Sequence, residues 1–268
     1  MSDYQGYNNI KVEKEDGVAV LTLNRPEAMN AIDEHTHLEL ERVFPELDAD
    51  EEVRAVVLTG AGKAFSAGGN IRGMLERAEQ KKYRAAYHWR WRGPKRLIRN
   101  ILDLHVPLIA AVNGAAVGLG TTLALFSDII IASDKARFGD THVSVGLVAG
   151  DGGAIIWPLL VGVAKAKEML MTGAIIDAQE AQRIGLVNKV VPADQLMPTA
   201  MELAHGLASG PTIAISWTKM SVNRMIRHFL ELSFDSSFCW EQHSFSSEDH
   251  YLAAKAFSEK RQPEFKGQ

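Results

Sequence analysis

A short apolar, β-branched run that empties into a segment of almost nothing but Gly, Ala and Ser leaves a chain few ways to fold. This sequence contains the pattern twice. Ala55 to Thr59 reads as a buried strand, and Gly60-Ala-Gly-Lys-Ala-Phe-Ser-Ala-Gly-Gly-Asn70 follows it. Small residues let a backbone approach its surroundings closely, and Gly admits the positive φ such a loop needs. A helix is predicted soon after Asn70, so the loop delivers its N–H groups to a helix N-terminus, where negative charge is favoured. Val106-Pro-Leu-Ile-Ala-Ala-Val112 repeats the theme as a strand. A turn at Asn113-Gly114 and the loop Ala115-Ala-Val-Gly118-Leu-Gly120 follow, then helical turns from Thr121 to Phe126. Two such loops can aim backbone donors at one oxygen atom, which is an oxyanion hole built without side chains.

The rest of the chain reads as alternating elements. Ile10 to Glu15 and Val18 to Leu23 are strands around Asp16-Gly17, a hairpin signal. Asp33 is a helix N-cap for a helix through about Leu47. Tyr83 to Leu104 is expected to be helical with an interruption at Gly93-Pro94. Asp128 to Ala132 is a strand, and Gly150-Asp-Gly-Gly153 punctuates the chain before a helix through Ile156 to Leu160. Helices are predicted at Ala164–Met171, Ala178–Ile184 and Ala193–Ala208, with a last strand from Val187 to Val191. Everything after Pro211 is helical in pattern. Strands alternating with helices, then helices alone, give an α/β core with a C-terminal helical region.

Bulk properties narrow the function classes. A chain of 268 residues suits one large domain, alone or with a small appendage. A net charge of -4 argues against general nucleic-acid binding. No apolar run is long enough to predict a membrane helix, and the polar N-terminus lacks a secretory or transit pattern. The lone cysteine, Cys239, rules out an internal disulfide and fits a reducing, cytoplasmic setting.

Ala64-Phe-Ser-Ala-Gly-Gly-Asn-Ile71 and Val112-Asn-Gly-Ala-Ala-Val-Gly-Leu-Gly-Thr121 resemble the two oxyanion loops of the crotonase (enoyl-CoA hydratase/isomerase) superfamily. The resemblance extends to Asn24-Arg-Pro-Glu-Ala-Met-Asn-Ala31, Ala181-Gln-Arg-Ile-Gly-Leu-Val-Asn188 and Ala256-Phe-Ser-Glu-Lys-Arg261. It implies a spiral of ββα units over residues 1–205 and a helical trimerisation region over 206–268. The implied assembly is a homotrimer or a dimer of trimers. The implied substrate is an acyl-CoA thioester, with coenzyme A entering as part of the substrate rather than as a bound cofactor. Gly69 and Leu119 fall at the positions whose amides stabilise the thioester enolate. Coenzyme contacts map onto Arg25, Ala28, Met29, Ala64, Ala67, Gly68 and Ile71. Phe257 and Lys260 match positions that reach a neighbouring subunit's coenzyme.

The acid/base residues depart from that pattern. Hydratases of the family carry two glutamates, and Thr122 and His142 stand at those positions here. Hydration by two carboxylates sharing one water is therefore in doubt for this chain. His142 and Asp151 are expected to replace them, because a carboxylate can fix a histidine tautomer and support its charged form. Thr122 is placed to hydrogen-bond a water. The segment through Trp157-Pro158 resembles the oxocamphor hydrolase branch, which uses a His and an Asp at this spacing to cleave β-diketones. A carbon–carbon hydrolase and a non-catalytic CoA-binding relative are thus the alternatives. A loop histidine and a helix N-cap are the plain structural readings of His142 and Asp151.

Other candidates are weaker. Ser66 lacks the first Gly of a Gly-x-Ser-x-Gly elbow, and His35-Thr-His37 lacks a third metal ligand at a sensible spacing. The basic run from Lys81 to Arg99, with Tyr83, Tyr87, Trp89 and Trp91 interleaved, is compatible with stacking on RNA bases. It reads better as a solvated helix face whose aromatics turn inward, some toward the acyl pocket.

Overall fold

The computed structural model describes residues 4–79 and 87–268, and of residues 77, 78 and 87–94 only the backbone. The chain opens with the antiparallel hairpin β1 (Ile10–Glu15) and β2 (Val18–Leu23), turned by Asp16 and Gly17 at φ 47° and 79°. Positive φ at both central residues is what a two-residue hairpin turn requires. A 3-10 turn at Pro26–Ala28 precedes α1 (Glu34–Ala49), whose N-cap Asp33 accepts from the Thr36 amide.

Three successive units follow one plan. The first is β3 (Ala55–Gly60), β4 (Ala64–Ser66) and α2 (Ile71–Glu79), after which α3 (Tyr87–Asp103) returns the chain. The second is β5 (Leu108–Val112), β6 (Ala115–Val117) and α4 (Leu119–Leu125). The third is β7 (Ile129–Ser133), β8 (Arg137–Gly139) and α5 (Gly153–Val161). Then come α6 (Val163–Thr172), β9 (Ile176–Asp177), α7 (Ala178–Arg183) and β10 (Lys189–Val191). Three helices finish the chain: α8 (Leu196–Ala208), α9 (Thr212–Ser244) and α10 (Glu248–Ser258).

In each unit the first strand joins one sheet and the second strand another. The larger sheet has the order β1-β2-β3-β5-β7-β10 and is parallel apart from the hairpin. The smaller has the order β4-β6-β8-β9 and is parallel apart from β8 with β9. This is the expected spiral of ββα units.

Burial on both faces explains the uninterrupted apolar strands. One face of the larger sheet, with Leu21, Leu58 and Ala110, packs into a core shared with Phe65, Phe138 and Trp157. The other face, with Val57, Ile109 and Ile131, lies under Ala200, Ala204 and Ala208 of α8. Alanines there bring the helix close to the sheet. The long helix α9 sends Leu230, Phe234 and Phe238 into the main core. It also carries Lys219, whose Nζ lies 2.7 Å from both Asp128 Oδ2 and the Val106 carbonyl oxygen.

Three expectations need correction. Helix α3 runs through Gly93-Pro94 without a break, held by Leu97, Ile98, Ile101 and Leu102 in the core. The segments Ala64–Ser66 and Ala115–Val117, read above as parts of loops, are strands. The second helix-forming segment begins at Leu119 rather than Thr121. The expected helix start at Tyr83, and the side chains of Tyr83, Tyr87, Trp89 and Trp91, lie outside the described residues.

Candidate active site

The two Gly-rich loops meet back to back because β4 and β6 are neighbours in the smaller sheet. Gly68 has φ 79°, and a Cβ there would stand 2.4 Å from the Val117 carbonyl oxygen. Gly120 is pressed equally hard on Ser66, where a Cβ would approach the Ser66 oxygen to 2.7 Å. Only glycine permits both contacts. Ser66 is fully buried; its hydroxyl donates to the Asn30 carbonyl at 2.8 Å and accepts the Gly68 amide at 3.1 Å. It is a fastener of the loop, in keeping with its poor fit to a nucleophile motif. Asn30, at φ 54°, donates through Nδ2 to the Ala61 and Ala64 carbonyls at 2.9 and 2.8 Å.

The first loop is also registered on the start of α1. Ile32 donates to the Gly68 carbonyl at 2.7 Å, and Asn70 donates back to the Ile32 carbonyl at 3.2 Å. Gly69 lies between these two bonds. Leu119 is the first residue of α4, behind Gly118 at φ 53°. A first-turn helix amide has no acceptor within its own helix. Both residues line a single pocket with Ala67, Gly68, Ile71, His142 and Asp151.

His142 stands against the second loop, 3.8 Å from the position of a Cβ on Gly118 to its ring Cε1. It is held from both sides. Nδ1 lies 2.5 Å from Asp140 Oδ1, and Nε2 lies 3.5 Å from Asp151 Oδ2. Asp151 is buried and takes hydrogen bonds on Oδ1 from the Thr122 hydroxyl at 3.2 Å and the Gly153 amide at 3.4 Å. The N-cap of α5 is Gly152, not Asp151 as expected; Asp151 stands one residue earlier, where it accepts the Gly153 amide and also pairs with His142.

Burial on its own would lower the pKa of His142. The charges of Asp140 and Asp151, the Asp140 hydrogen bond and the more remote Glu241 outweigh it and hold the imidazole well above its usual range. Burial raises Asp151 above the ordinary carboxylate range, with Asp140 adding to that and His142 opposing it. The pair therefore holds protons tightly. Asp140, His142 and Asp151 also carry ligand atoms within 4.8 Å of one another, close enough to suggest a metal site. The two carboxylates, however, address opposite nitrogens of one ring, which suits a shared proton better than a shared ion.

The expected residues separate into two groups. Gly69, Leu119, His142 and Asp151 meet at the pocket, and Thr122 stands behind it on Asp151. Among the coenzyme candidates, Ala67, Gly68 and Ile71 line the pocket, while Ala64 is buried in β4. Arg25 pairs with Asp33 at 2.5 Å beside the 3-10 turn that holds Ala28, and Met29 is exposed at its end. Phe257 and Lys260 are exposed at the end of α10 and are not part of this pocket wall. Asp140, Glu241 of α9 and His37 of α1 were not picked out as site residues, yet the first bonds His142 and the other two line the pocket. Asp140 had a local signal, two residues before His142 at the end of β8. His37 has a local signal only as half of the His35-Thr-His37 pair, and Glu241 has none.

Fold and loops together define an α/β protein of the crotonase class. Residues 13–268 match the model of the family described as Enoyl-CoA hydratase/isomerase, and the chain belongs to that family. It is 42% identical over 262 residues to the Short-chain-enoyl-CoA hydratase of Clostridium acetobutylicum, covering 96% of this chain and 97% of that one. It is 33% identical over 254 residues to the 1,2-epoxyphenylacetyl-CoA isomerase of Escherichia coli, covering 94% and 96%. Among solved structures, an enoyl-CoA hydratase/isomerase from Mycobacterium paratuberculosis superposes with a TM-score of 0.88 at 35% identity, covering 94% of this chain and 99% of that one.

Proposed function

We propose that this chain catalyses proton-transfer chemistry on the carbons next to the carbonyl of a CoA thioester. The observation that carries the reading is His142, bracketed by Asp140 and Asp151 and facing the two Gly-rich loops across one pocket. The amides of Gly69 and Leu119 are assigned to the thioester oxygen, where each donor typically contributes about 3 kcal/mol to an enolate-like transition state. Asp151 Oδ2 accepts a proton from carbon or from a water, and protonated His142 returns one to the enolate. The 3.5 Å gap between Asp151 Oδ2 and His142 Nε2 closes the cycle by passing the proton back. Thr122 steers the carboxylate by holding its other oxygen.

Small residues suit the thin pantetheine arm, and Ala67, Gly68 and Ile71 supply them on the wall beside the first loop. Arg25, Ala28, Met29 and Ala64 are assigned to the rest of the coenzyme. Phe257 and Lys260 are assigned to the coenzyme of a neighbouring copy. That assignment goes with a trimeric assembly, supported by the exposed apolar side chains Trp217, Leu232 and Trp240 on α9. A second reading is favoured by the His142–Asp151 pair itself. An activated water there would cleave a carbon–carbon bond of a β-diketone.

Calorimetry with a panel of acyl-CoAs and enoyl-CoAs, together with turnover by loss of enoyl absorbance, tests both. Binding is expected, with turnover falling at least about a hundredfold in His142→Ala while affinity is kept. Turnover untouched by that substitution would remove His142 from the mechanism. Absence of any CoA-ester binding, with cleavage of CoA-free diketones, would transfer the assignment to the second reading.

A further inference from the structure

Asp140 and Asp151 address the ring of His142, yet its backbone sits on a short turn that needs a hold of its own. The 3-10 turn His142–Val145 ends at Gly146, whose φ is 68°, and the Leu147 amide closes it on the His142 carbonyl at 2.9 Å. So short a stretch of 3-10 helix brings few backbone bonds, and their geometry is poorer than that of an α-helix. Val145 and Leu147 line the pocket together with His142, so a shift of this turn moves both the imidazole and part of the wall.

The hold comes from the first turn of α10. The Ser247 hydroxyl caps that helix by accepting the His250 amide at 3.1 Å. The His250 ring reaches back to the turn, and its Nδ1 lies 2.8 Å from the Val145 carbonyl oxygen. A carbonyl only accepts, so Nδ1 carries the proton and donates it. His250 is 1% exposed, and its ring meets that of Phe245, a residue of the pocket wall, edge to face at 5.1 Å. The helix start is seated on the turn without clearance: a Cβ on Gly146 would stand 2.8 Å from the His250 amide nitrogen. The turn is thus clamped at both ends, by Asp140 at His142 and by His250 at Val145.

We propose that His250 is a positioning residue: by holding the Val145 carbonyl it sets the pitch of the turn, and so the reach of His142 Nε2 toward Asp151 and the reacting carbons. His250 is not part of the pocket wall and acts through the turn. This inference rests on the proton-transfer role given to His142 above and adds the device that aims it. Transfer across the 3.5 Å between Nε2 and Asp151 Oδ2 is sensitive to placement, and a displacement of about 1 Å costs up to about a hundredfold in rate.

The test sets two substitutions with opposite losses against each other, in the full-length protein and with the enoyl-CoA it turns over fastest. His250→Phe keeps a ring against Phe245 and removes the N–H. His250→Asn gives up the ring and keeps a donor close to the place of Nδ1. His250→Phe is expected to lower kcat about tenfold with KM within about twofold, and His250→Asn to hold kcat within about threefold of wild type even where its Tm falls further. Ser247→Ala uncaps α10 and leaves the ring bond in place, so it is expected to lower Tm and leave kcat unchanged. Wild-type kcat in His250→Phe, or a tenfold loss in His250→Asn, would overturn the proposal, and either variant decides by itself should the other not fold. A kcat loss in Ser247→Ala as large as that in His250→Phe would overturn it too, since the effect would then trace to a loosened helix. His142→Ala is run alongside. Unchanged turnover there, or a wild type that turns over no enoyl-CoA, strikes the proton-transfer reading itself. Lost turnover there with wild-type kcat in His250→Phe strikes only the positioning role.

Discussion

Asp140 is the residue whose replacement separates proton affinity from geometry at His142. It bonds Nδ1 and contributes the largest attraction holding the imidazolium, second in size only to the opposing effect of burial. Asp140→Asn keeps the shape and removes the charge. The alkaline limb of the activity profile is expected to move toward neutral pH by about one to two units, the scale of one close opposite charge. An unmoved limb would mean that the proton lies elsewhere. The sign for stability follows from linkage. A histidine whose folded pKa is raised contributes stability that is complete below its unfolded value of about 6.5 and is lost as pH rises through the folded value. Asp151, also raised, acts in the same sense, since its protonated form is the one the fold favours. Denaturant midpoints should therefore fall as pH rises above about 6.5, and the fall should flatten in His142→Gln. Because the Asp140–His142–Asp151 cluster is assigned to a proton, chelator treatment is expected to leave turnover unchanged. Loss of turnover restored by a divalent cation would reverse that assignment.

Between elements, one contact governs the site and a second ties α9 to the larger sheet. The parallel pairing of β4 with β6 presses Gly68 onto Val117. Gly68→Ala meets both a positive φ and a carbonyl oxygen, and is expected to cost about 2 kcal/mol or more and to part the two loops. Turnover should then fall further than Tm alone explains. Elsewhere, Lys219 of α9 and Asp128 before β7 pair at 2.7 Å, where partial desolvation lowers the one and raises the other while each supports its partner's charge. Lys219→Ala leaves a carboxylate that water can reach and is expected to cost about 1 kcal/mol, with Lys219→Met in Asp128→Asn recovering much of it. Equal losses in the single and double variants would show that the ion pair does not couple.

These elements also show what was legible beforehand. β3 and β5 announce themselves by runs of β-branched and apolar residues, and Asp33 and Asp16-Gly17 by cap and turn chemistry. β4, β6 and β8 span only three residues each, too few for any period to register. Their identity as a sheet comes from pairing with one another. Gly69, Leu119, His142 and Asp151 were legible because each lies within a short distinctive stretch. Glu241 and His37 sit in ordinary helical sequence, and only the packing of α9 and α1 around the loops brings them to the pocket. The expected break in α3 failed because local proline chemistry was outweighed by the buried face after it.

For the whole molecule, α9 faces two ways. Leu230, Phe234 and Phe238 enter the core, while Trp217, Leu232 and Trp240 remain 69%, 67% and 63% exposed. Large apolar side chains so placed are expected to be covered by another copy. Sedimentation should give three or six times the 29.4 kDa chain mass, and Trp217→Glu should shift it toward the single chain. A wild-type protein sedimenting at one chain mass would remove the trimer and, with it, the roles assigned to Phe257 and Lys260. The same helix gives the pocket a history. Its Gly-rich loops are complete by Leu119 and its His142–Asp151 pair by Asp151, yet Glu241, Gln242 and Phe245 belong to its wall as well. A chain emerging from the ribosome thus carries a set of reactive groups with one side open to water for the length of α5 through α9. The wall that shuts the pocket is made well after the groups it encloses, so activity is expected to switch on only once α9 is in place rather than to grow with the chain.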